Sequence, residues 1–208
     1  MGDWLAARLL FLIPLILSLS VHEWAHAWTA LQLGDDTAQR QGRLTLDPLA
    51  HIDPVGTVLL PLIGVPFGWA RPVPVEPTRF DTGVSMRAGM LLTALAGPLS
   101  NGVLAIGALG LSLGLEASVP ALVAPGSAGR GLLDAMVLIN VLLGLFNLLP
   151  IPPLDGSRIV DGLLPERLRA GWGAAAPLLT ALLFALLALS VAAGLGPVWG
   201  PVAAALGL

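Results

Sequence analysis

Apolar runs long enough to cross a lipid bilayer are the feature that most constrains this chain of 208 residues. A membrane-spanning helix needs about 20 mainly apolar residues. Four stretches come close to or exceed that length, at residues 5–33, 84–115, 131–149 and 174–194. Charged residues make up only 11% of the chain, whereas soluble domains usually carry about a quarter. We therefore predict an all-α polytopic membrane protein with about four transmembrane helices, folded as a single membrane-embedded domain over residues 1–208.

The region between the first and second predicted spans has no apolar run long enough to cross the membrane. Residues 55–66 are apolar but interrupted by Pro61, and they are too few to span comfortably. The following sequence, RPVPVEP, alternates proline with valine or glutamate and cannot be helical, which favours extended chain or an edge strand. We expect residues 55–80 to form a re-entrant segment or β-hairpin that returns to the side it left.

The arginines predict how the chain is oriented. There are ten basic residues, and under this topology Arg8 and Arg130 lie on one side of the membrane. The other eight lie on the opposite side: Arg40, Arg43, Arg71, Arg79, Arg87, Arg158, Arg167 and Arg169. Because basic loops stay in the cytoplasm, we expect a multi-pass protein of the cell (inner) membrane whose arginine-rich side, with the active site toward it, is cytoplasmic.

Composition also narrows the chemistry. The chain has no cysteine, so thiolate metal sites and disulfides are excluded. Its net charge is −3 and it has no basic tract, so nucleic acid is not an expected partner. The lipid bilayer is an expected partner. The sequence leaves the oligomeric state open.

The sequence HEWAH, residues 22–26, lies inside the first apolar run. On a helix, His22 and His26 are one turn apart on nearly the same face and can reach one Zn²⁺. Glu23 projects beside them, where it can act on a water at the metal. Ionisable groups are costly within a membrane and mark functional sites. A buried polar cluster that holds helices together is the structural alternative.

A third ligand is needed from the same depth and the same side. Asp155 follows the third span in the sequence NLLPIPPLDG, where three prolines prevent a regular helix. Unwound chain at membrane depth is tolerated where it lines a wet cavity, as hydrolysis requires. Asp155 could also be an N-cap, and Asp161 is a rival ligand. Gly97-Pro98 is interpreted as a kink, and Asn101 and Asn140 as interhelical hydrogen-bonding residues, with a contribution of Asn101 to the site left open.

HEWAH followed by NLLPIPPLDG resembles the site-2 protease family of intramembrane zinc metalloproteases, and the sequences GRLTLDPLAHIDPVGT, GWARPVPVEP and AGPLSN are similar to further parts of the family pattern. The resemblance covers most of the chain, and it is to a small member without PDZ or CBS domains. It implies one zinc ion per chain held by His22, His26 and Asp155, with Glu23 as the general base. It also implies a substrate-binding role for Asn147.

The expected function is therefore intramembrane zinc endopeptidase, a metalloprotease that hydrolyses peptide bonds in or near transmembrane segments of membrane proteins. Such a substrate must unwind locally, and an exposed strand edge at Val73 and Val75 could pair with it. The alternative is a membrane metal-ion transporter that uses the same intramembrane His/Asp site. Glu23 discriminates between them, because a protease without its carboxylate should still bind zinc yet lose cleavage.

Overall fold

A computed structural model describes residues 2–62 and 68–192, and within these residues the fold is helical, with no β-strand. We number the helices in chain order: α1 (Gly2–Gln32), α2 (Thr37–Arg40), α3 (Leu60–Leu62), α4 (Met86–Ser118), α5 (Ala128–Asn147), α6 (Asp155–Leu163) and α7 (Glu166–Ala192). Short helical turns lie at Pro48–Ala50, Pro54–Leu59, Pro77–Arg79 and Pro120–Val123.

Three of the described helices are long and apolar enough to cross a membrane, at Met86–Ser118, Ala128–Asn147 and Glu166–Leu189. This agrees with a membrane protein, and these helices overlap three of the four predicted spans. The first predicted span falls on α1, whose 31 residues measure about 46 Å at 1.5 Å per residue. The length of α1 allows a crossing, and its role as a fourth span is taken up below.

The segment after α1 is held to the helices by turns and polar contacts. Gly34 has φ 103°, a left-handed conformation suited to glycine, and it ends the helix. The turn Pro54–Leu59 continues into α3, so the nine described residues from Pro54 to Leu62 are helical and cover about 13 Å. Residues 63–67, part of the predicted re-entrant segment, lie outside the described residues. Residues 68–76, which we call the extended segment, form neither helix nor strand, so the predicted β-hairpin is not confirmed.

Helix α4 occupies the centre of the fold and packs against α1, α5 and α6. Its buried face is built from small residues, including Gly97, Ala94 and Ala105, which allow helix backbones to approach closely. The apolar core combines Leu15 and Leu19 of α1 with Ala135 and Ile139 of α5, and Ala70 of the extended segment joins it. In contrast, most of α7 is exposed within the chain, as Leu178, Leu186 and Leu189 illustrate.

A candidate metal centre between helices α1, α4 and α6

Three potential ligands converge where α1 meets the start of α6. The Nε2 atoms of His22 and His26 are 3.0 Å apart, and Asp155 Oδ2 lies 3.1 Å from the first and 3.3 Å from the second. A tetrahedral zinc ion with bonds of about 2.0–2.2 Å separates its ligand atoms by about 3.3 Å. The donor set of two imidazoles and one carboxylate, all buried, therefore fits zinc and leaves a fourth position open.

The far side of each imidazole is held by α4. His22 Nδ1 lies 2.6 Å from Asn101 Oδ1, and His26 Nδ1 lies 2.7 Å from the Thr93 carbonyl oxygen. A carbonyl oxygen can only accept, so His26 must carry its proton on Nδ1, and its Nε2 offers a lone pair. Metal-binding histidines commonly donate the other ring N–H in this way. Within the described residues, Asp155 Oδ2 has no hydrogen-bond donor although it is fully buried, as expected of an oxygen that binds a cation.

Asp155 is the first residue of α6, and Leu154 occupies the N-cap position without a side-chain hydrogen bond. The N-cap alternative for Asp155 is therefore not what the structure shows. The carboxylate points at the two imidazoles, and its place in the first turn of the helix favours a negative charge.

Glu23 is buried beside the cluster and contacts the extended segment. Its Oε2 accepts a hydrogen bond of 2.8 Å from the backbone N–H of Val73. Glu23 follows His22 on α1 and is not one of the three clustered groups. The carboxylate is thus next to the cluster but outside it, which is the arrangement that a general base requires.

The extended segment is held along one edge by the protein's own groups. Arg71 donates its N–H to the His51 carbonyl oxygen at 2.8 Å and accepts from Arg43 Nη2 at 2.5 Å, while Val73 donates to Glu23. Burial and the neighbouring Arg71 lower the pKa of Arg43, but an arginine remains charged at physiological pH. In an extended chain, residues of the same parity present their backbone groups to the same side. The inner edge therefore carries the donors, and the outer edge presents Pro72 and Pro74, which have no N–H.

The other residues singled out from the sequence are not members of the cluster of three potential ligands. Asp161, the rival ligand, forms an ion pair with Arg169 at 3.0 Å. Asn147 ends α5 and donates to the Leu143 carbonyl oxygen of its own helix at 3.0 Å. Val75 is half-buried in the extended segment, two residues beyond the Val73 contact. His51 is fully buried, with its Nε2 lying 2.8 Å from the Thr45 carbonyl oxygen.

Gly97 is the site residue whose role the sequence did not reveal. A Cβ atom at Gly97 would lie 2.5 Å from both His22 Cε1 and His26 Cε1. Interpreted from the sequence as part of a kink, Gly97 is instead the point where α4 approaches both imidazoles. Its position four residues before Asn101, on the same face of a helix, was the available signal.

Comparison with known proteins agrees with this chemistry. The sequence profile described as peptidase family M50 matches residues 124–190. YwhC of Bacillus subtilis (strain 168), named as a candidate zinc metalloprotease, is 45% identical over 159 residues, which cover 76% of this chain and 70% of YwhC.

Two proteins named Rip2, also candidate zinc metalloproteases by name, are similar as well. The one from Mycolicibacterium smegmatis is 34% identical over 156 residues, and the one from Mycobacterium tuberculosis (strain H37Rv) is 33% identical over 156 residues. The matched region covers 74% of this chain and 58% of each Rip2 protein. No solved structure matches this one significantly.

Proposed function

This chain belongs to peptidase family M50, the site-2 protease family of zinc metalloproteases, and from that premise we propose that His22, His26 and Asp155 hold its zinc ion and that Glu23 is its general base. The observation that carries the proposal is the convergence of three buried ligand atoms within 3.3 Å of one another. Two imidazoles and a carboxylate with an open fourth position are a catalytic zinc set. The comparisons give no support to a metal-ion transporter.

The bound zinc ion supplies Lewis acidity for the attack of water on a peptide carbonyl. Glu23 takes a proton from that water as its oxygen adds to the carbonyl carbon. When the carbon–nitrogen bond breaks, Glu23 returns the proton to the departing amine nitrogen. The N–H of Val73 orients the Glu23 carboxylate, and the low-dielectric surroundings strengthen that hydrogen bond.

The Val73 N–H, which was expected to pair with substrate, is bound to Glu23. We therefore place the substrate along the outer edge of the extended segment, and we keep Val73, Val75 and Asn147 as proposed substrate contacts. The two prolines leave only carbonyl oxygens on that edge, so the substrate backbone must supply the N–H donors. This differs from ordinary strand addition, in which both partners donate. A locally unwound transmembrane segment has such free N–H groups, which supports membrane proteins as the substrates.

The proposed topology has four spans, formed by α1, α4, α5 and α7, with residues 55–80 as a re-entrant segment that returns to the side it left. The described helical residues from Pro54 to Leu62 cover about 13 Å, less than half of a bilayer's hydrocarbon core, which supports the re-entrant interpretation. The excess of arginine then assigns the active-site side to the cytoplasm and the chain to the cell (inner) membrane. We treat residues 1–208 as one membrane-embedded domain.

The decisive experiment compares wild type with Glu23→Gln in a panel of co-expressed single-span membrane proteins. We expect Glu23→Gln to retain one zinc per chain, measured on purified protein, and to lose detectable cleavage of any substrate that wild type cuts. Glu116→Gln is the matched control, because Glu116 is exposed near the C-terminal end of α4, 3.7 Å from Arg130. Loss of zinc in Glu23→Gln, or undiminished cleavage by it, would contradict the assignment.

A further inference from the structure

A row of buried polar side chains leads away from His22 into the helix bundle. Asn101 Oδ1 lies 2.6 Å from His22 Nδ1, and Asn101 Nδ2 donates to Asn140 Oδ1 at 2.8 Å. Asn140 Nδ2 in turn donates to Ser18 Oγ at 2.8 Å. Ser18, Asn101 and Asn140 are each 0% exposed, so the row begins and ends among residues of α1 and crosses α4 and α5 between them.

The direction of these hydrogen bonds is fixed at one end by an atom that can only accept. Asn140 Nδ2 also lies 2.8 Å from the backbone carbonyl oxygen of Met136. The amide nitrogen of Asn140 must therefore face Met136, and its oxygen must face Asn101. Asn101 must then donate with Nδ2 and accept with Oδ1. The atom opposite that oxygen, His22 Nδ1, must carry the proton.

We propose that Asn101 and Asn140 are positioning residues that fix the ring tautomer of His22, so that its Nε2 always presents a lone pair to the metal. This inference rests on the proposed role of His22 as a zinc ligand. His26 needs no such device because a backbone carbonyl already fixes its tautomer. The Met136 carbonyl oxygen fixes the orientation of the Asn140 amide, which fixes that of the Asn101 amide. The Asn101 amide in turn fixes the tautomer of His22 on α1.

The geometry of the cluster explains why the tautomer of His22 must be fixed. If His22 carried its proton on Nε2, the N–H could donate to Asp155 Oδ2, 3.1 Å away, and the two ligands would satisfy each other without a metal. Binding zinc would then require a change of tautomer. The Asn101 oxygen removes this competing state by stabilising the Nδ1 proton instead. The same contact holds the imidazole plane in place.

The chain has only three histidines, so the tautomers can be read directly from ¹⁵N-histidine spectra of the full-length, metal-free protein in detergent. We expect the neutral wild-type His22 ring to be protonated on Nδ1. In Asn140→Leu, the Asn101 amide is free to turn, and we expect the Nε2–H form of His22 to become populated. The distinguishing feature is that Asn140 touches neither imidazole.

Zinc affinity, measured by chelator competition, gives the second readout. We expect Asn101→Leu and Asn140→Leu to weaken binding by about 10–100-fold, the usual effect of losing such outer contacts. Asn101→Asp keeps an acceptor for His22 Nδ1 and should bind zinc more tightly than Asn101→Leu. Ser112→Ala removes another buried polar group of α4 and is the matched control, with no expected change.

Two results would overturn the inference. One is an unchanged His22 tautomer in both leucine variants, and the other is equal loss of zinc in Asn101→Leu and Asn101→Asp. If Asn101→Leu does not fold, Asn140→Leu alone carries the tautomer test. None of these measurements requires cleavage, so their failure would leave Glu23→Gln as an independent test of the proposed protease.

Discussion

The imidazoles of His22 and His26 lie directly against the backbone of α4 at Gly97, and this contact allows no side chain. A methyl group at Gly97 would lie 2.5 Å from His26 Nε2, the atom proposed to bind zinc. We expect Gly97→Ala to displace α4 or the two rings at a cost of about 1–3 kcal/mol, typical of overpacking. Zinc content and chelator competition on the purified variant measure the effect, which should be a clear loss of affinity.

Gly102→Ala is the control for this change. Gly102 is on the same helix, and an added Cβ there would have nothing within 4 Å. Alanine is the better helix former by about 0.8–1.0 kcal/mol, so this variant should bind zinc like wild type and be at least as stable. Equal zinc binding by both variants would show that the contact at Gly97 is not tight.

At the residue scale, the sequence predicted the ligands better than their supports. HEWAH and the aspartate after the prolines sufficed to predict that His22, His26 and Asp155 come together, as they do in the structure; their role as zinc ligands stays a prediction. Gly97 and the link from Asn101 to Asn140 depend on how far apart two helices pack. That distance comes from side chains distributed over several helices, and no local pattern encodes it.

Helix α6 presents Asp155 to the site, and its start is packed backbone to backbone against the end of α5. A Cβ at Gly156 would clash with the carbonyl oxygens of Leu148 and Leu149. We expect Gly156→Ala to shift the start of α6 and weaken zinc binding by at least tenfold, equivalent to about 1.4 kcal/mol. Chelator competition checks this.

Gly162 of the same helix provides the comparison. A Cβ there would lie 2.7 Å from both Cβ and Cδ1 of Leu91, so this end of α6 must also shift, but it is about two helical turns from Asp155. Gly162→Ala should therefore have a much smaller effect on zinc affinity than Gly156→Ala. A reversed order would mean that α6 is held mainly at its C-terminal end, where Arg87 donates to the carbonyl oxygens of Gly162 and Leu164.

The extended segment is the second element with a direct effect on the site. Val73→Pro removes the N–H that Glu23 accepts, and a hydrogen bond to a charged group contributes about 1.5–3 kcal/mol. We expect kcat on a model substrate to fall at least tenfold while zinc content is unchanged. Val75→Pro alters the same segment without removing that hydrogen bond and should reduce kcat less.

Equal kcat values for wild type and Val73→Pro would show that the Val73 contact does not orient the base.

The sequence predicted this segment as extended because alternating prolines exclude a helix. It could not predict the partners of the inner edge, which come from Glu23 on α1 and from His51 in the preceding loop.

For the whole molecule, the arginine distribution predicts a measurable sidedness. The chain has no cysteine, so a single introduced cysteine can be labelled selectively. We expect Gln41→Cys, on the arginine-rich side, to resist a membrane-impermeant maleimide in intact cells. Ala121→Cys, in the exposed turn after α4, should react. Labelling of both after lysis is the control for accessibility, and the opposite pattern in intact cells would reverse the proposed orientation.

Membership of the membrane proteins was the most predictable property, because the length of the apolar runs is enough to predict membrane-spanning helices. The packing order, with α4 in the middle, was not predictable. It depends on which small-residue faces fit together, and the four candidate spans are similarly apolar.

The exposed position of α7 shows how loosely this helix is connected to the candidate metal centre. The hydrogen-bond and ion-pair partners described for His22, His26 and Asp155, among them Asn101 and Thr93, precede residue 166. Helix α7 is joined to the rest through contacts such as Thr180 with the Pro152 carbonyl oxygen and Arg169 with Asp161. A change on the exposed face of α7 is therefore expected to leave the arrangement of His22, His26 and Asp155 unchanged.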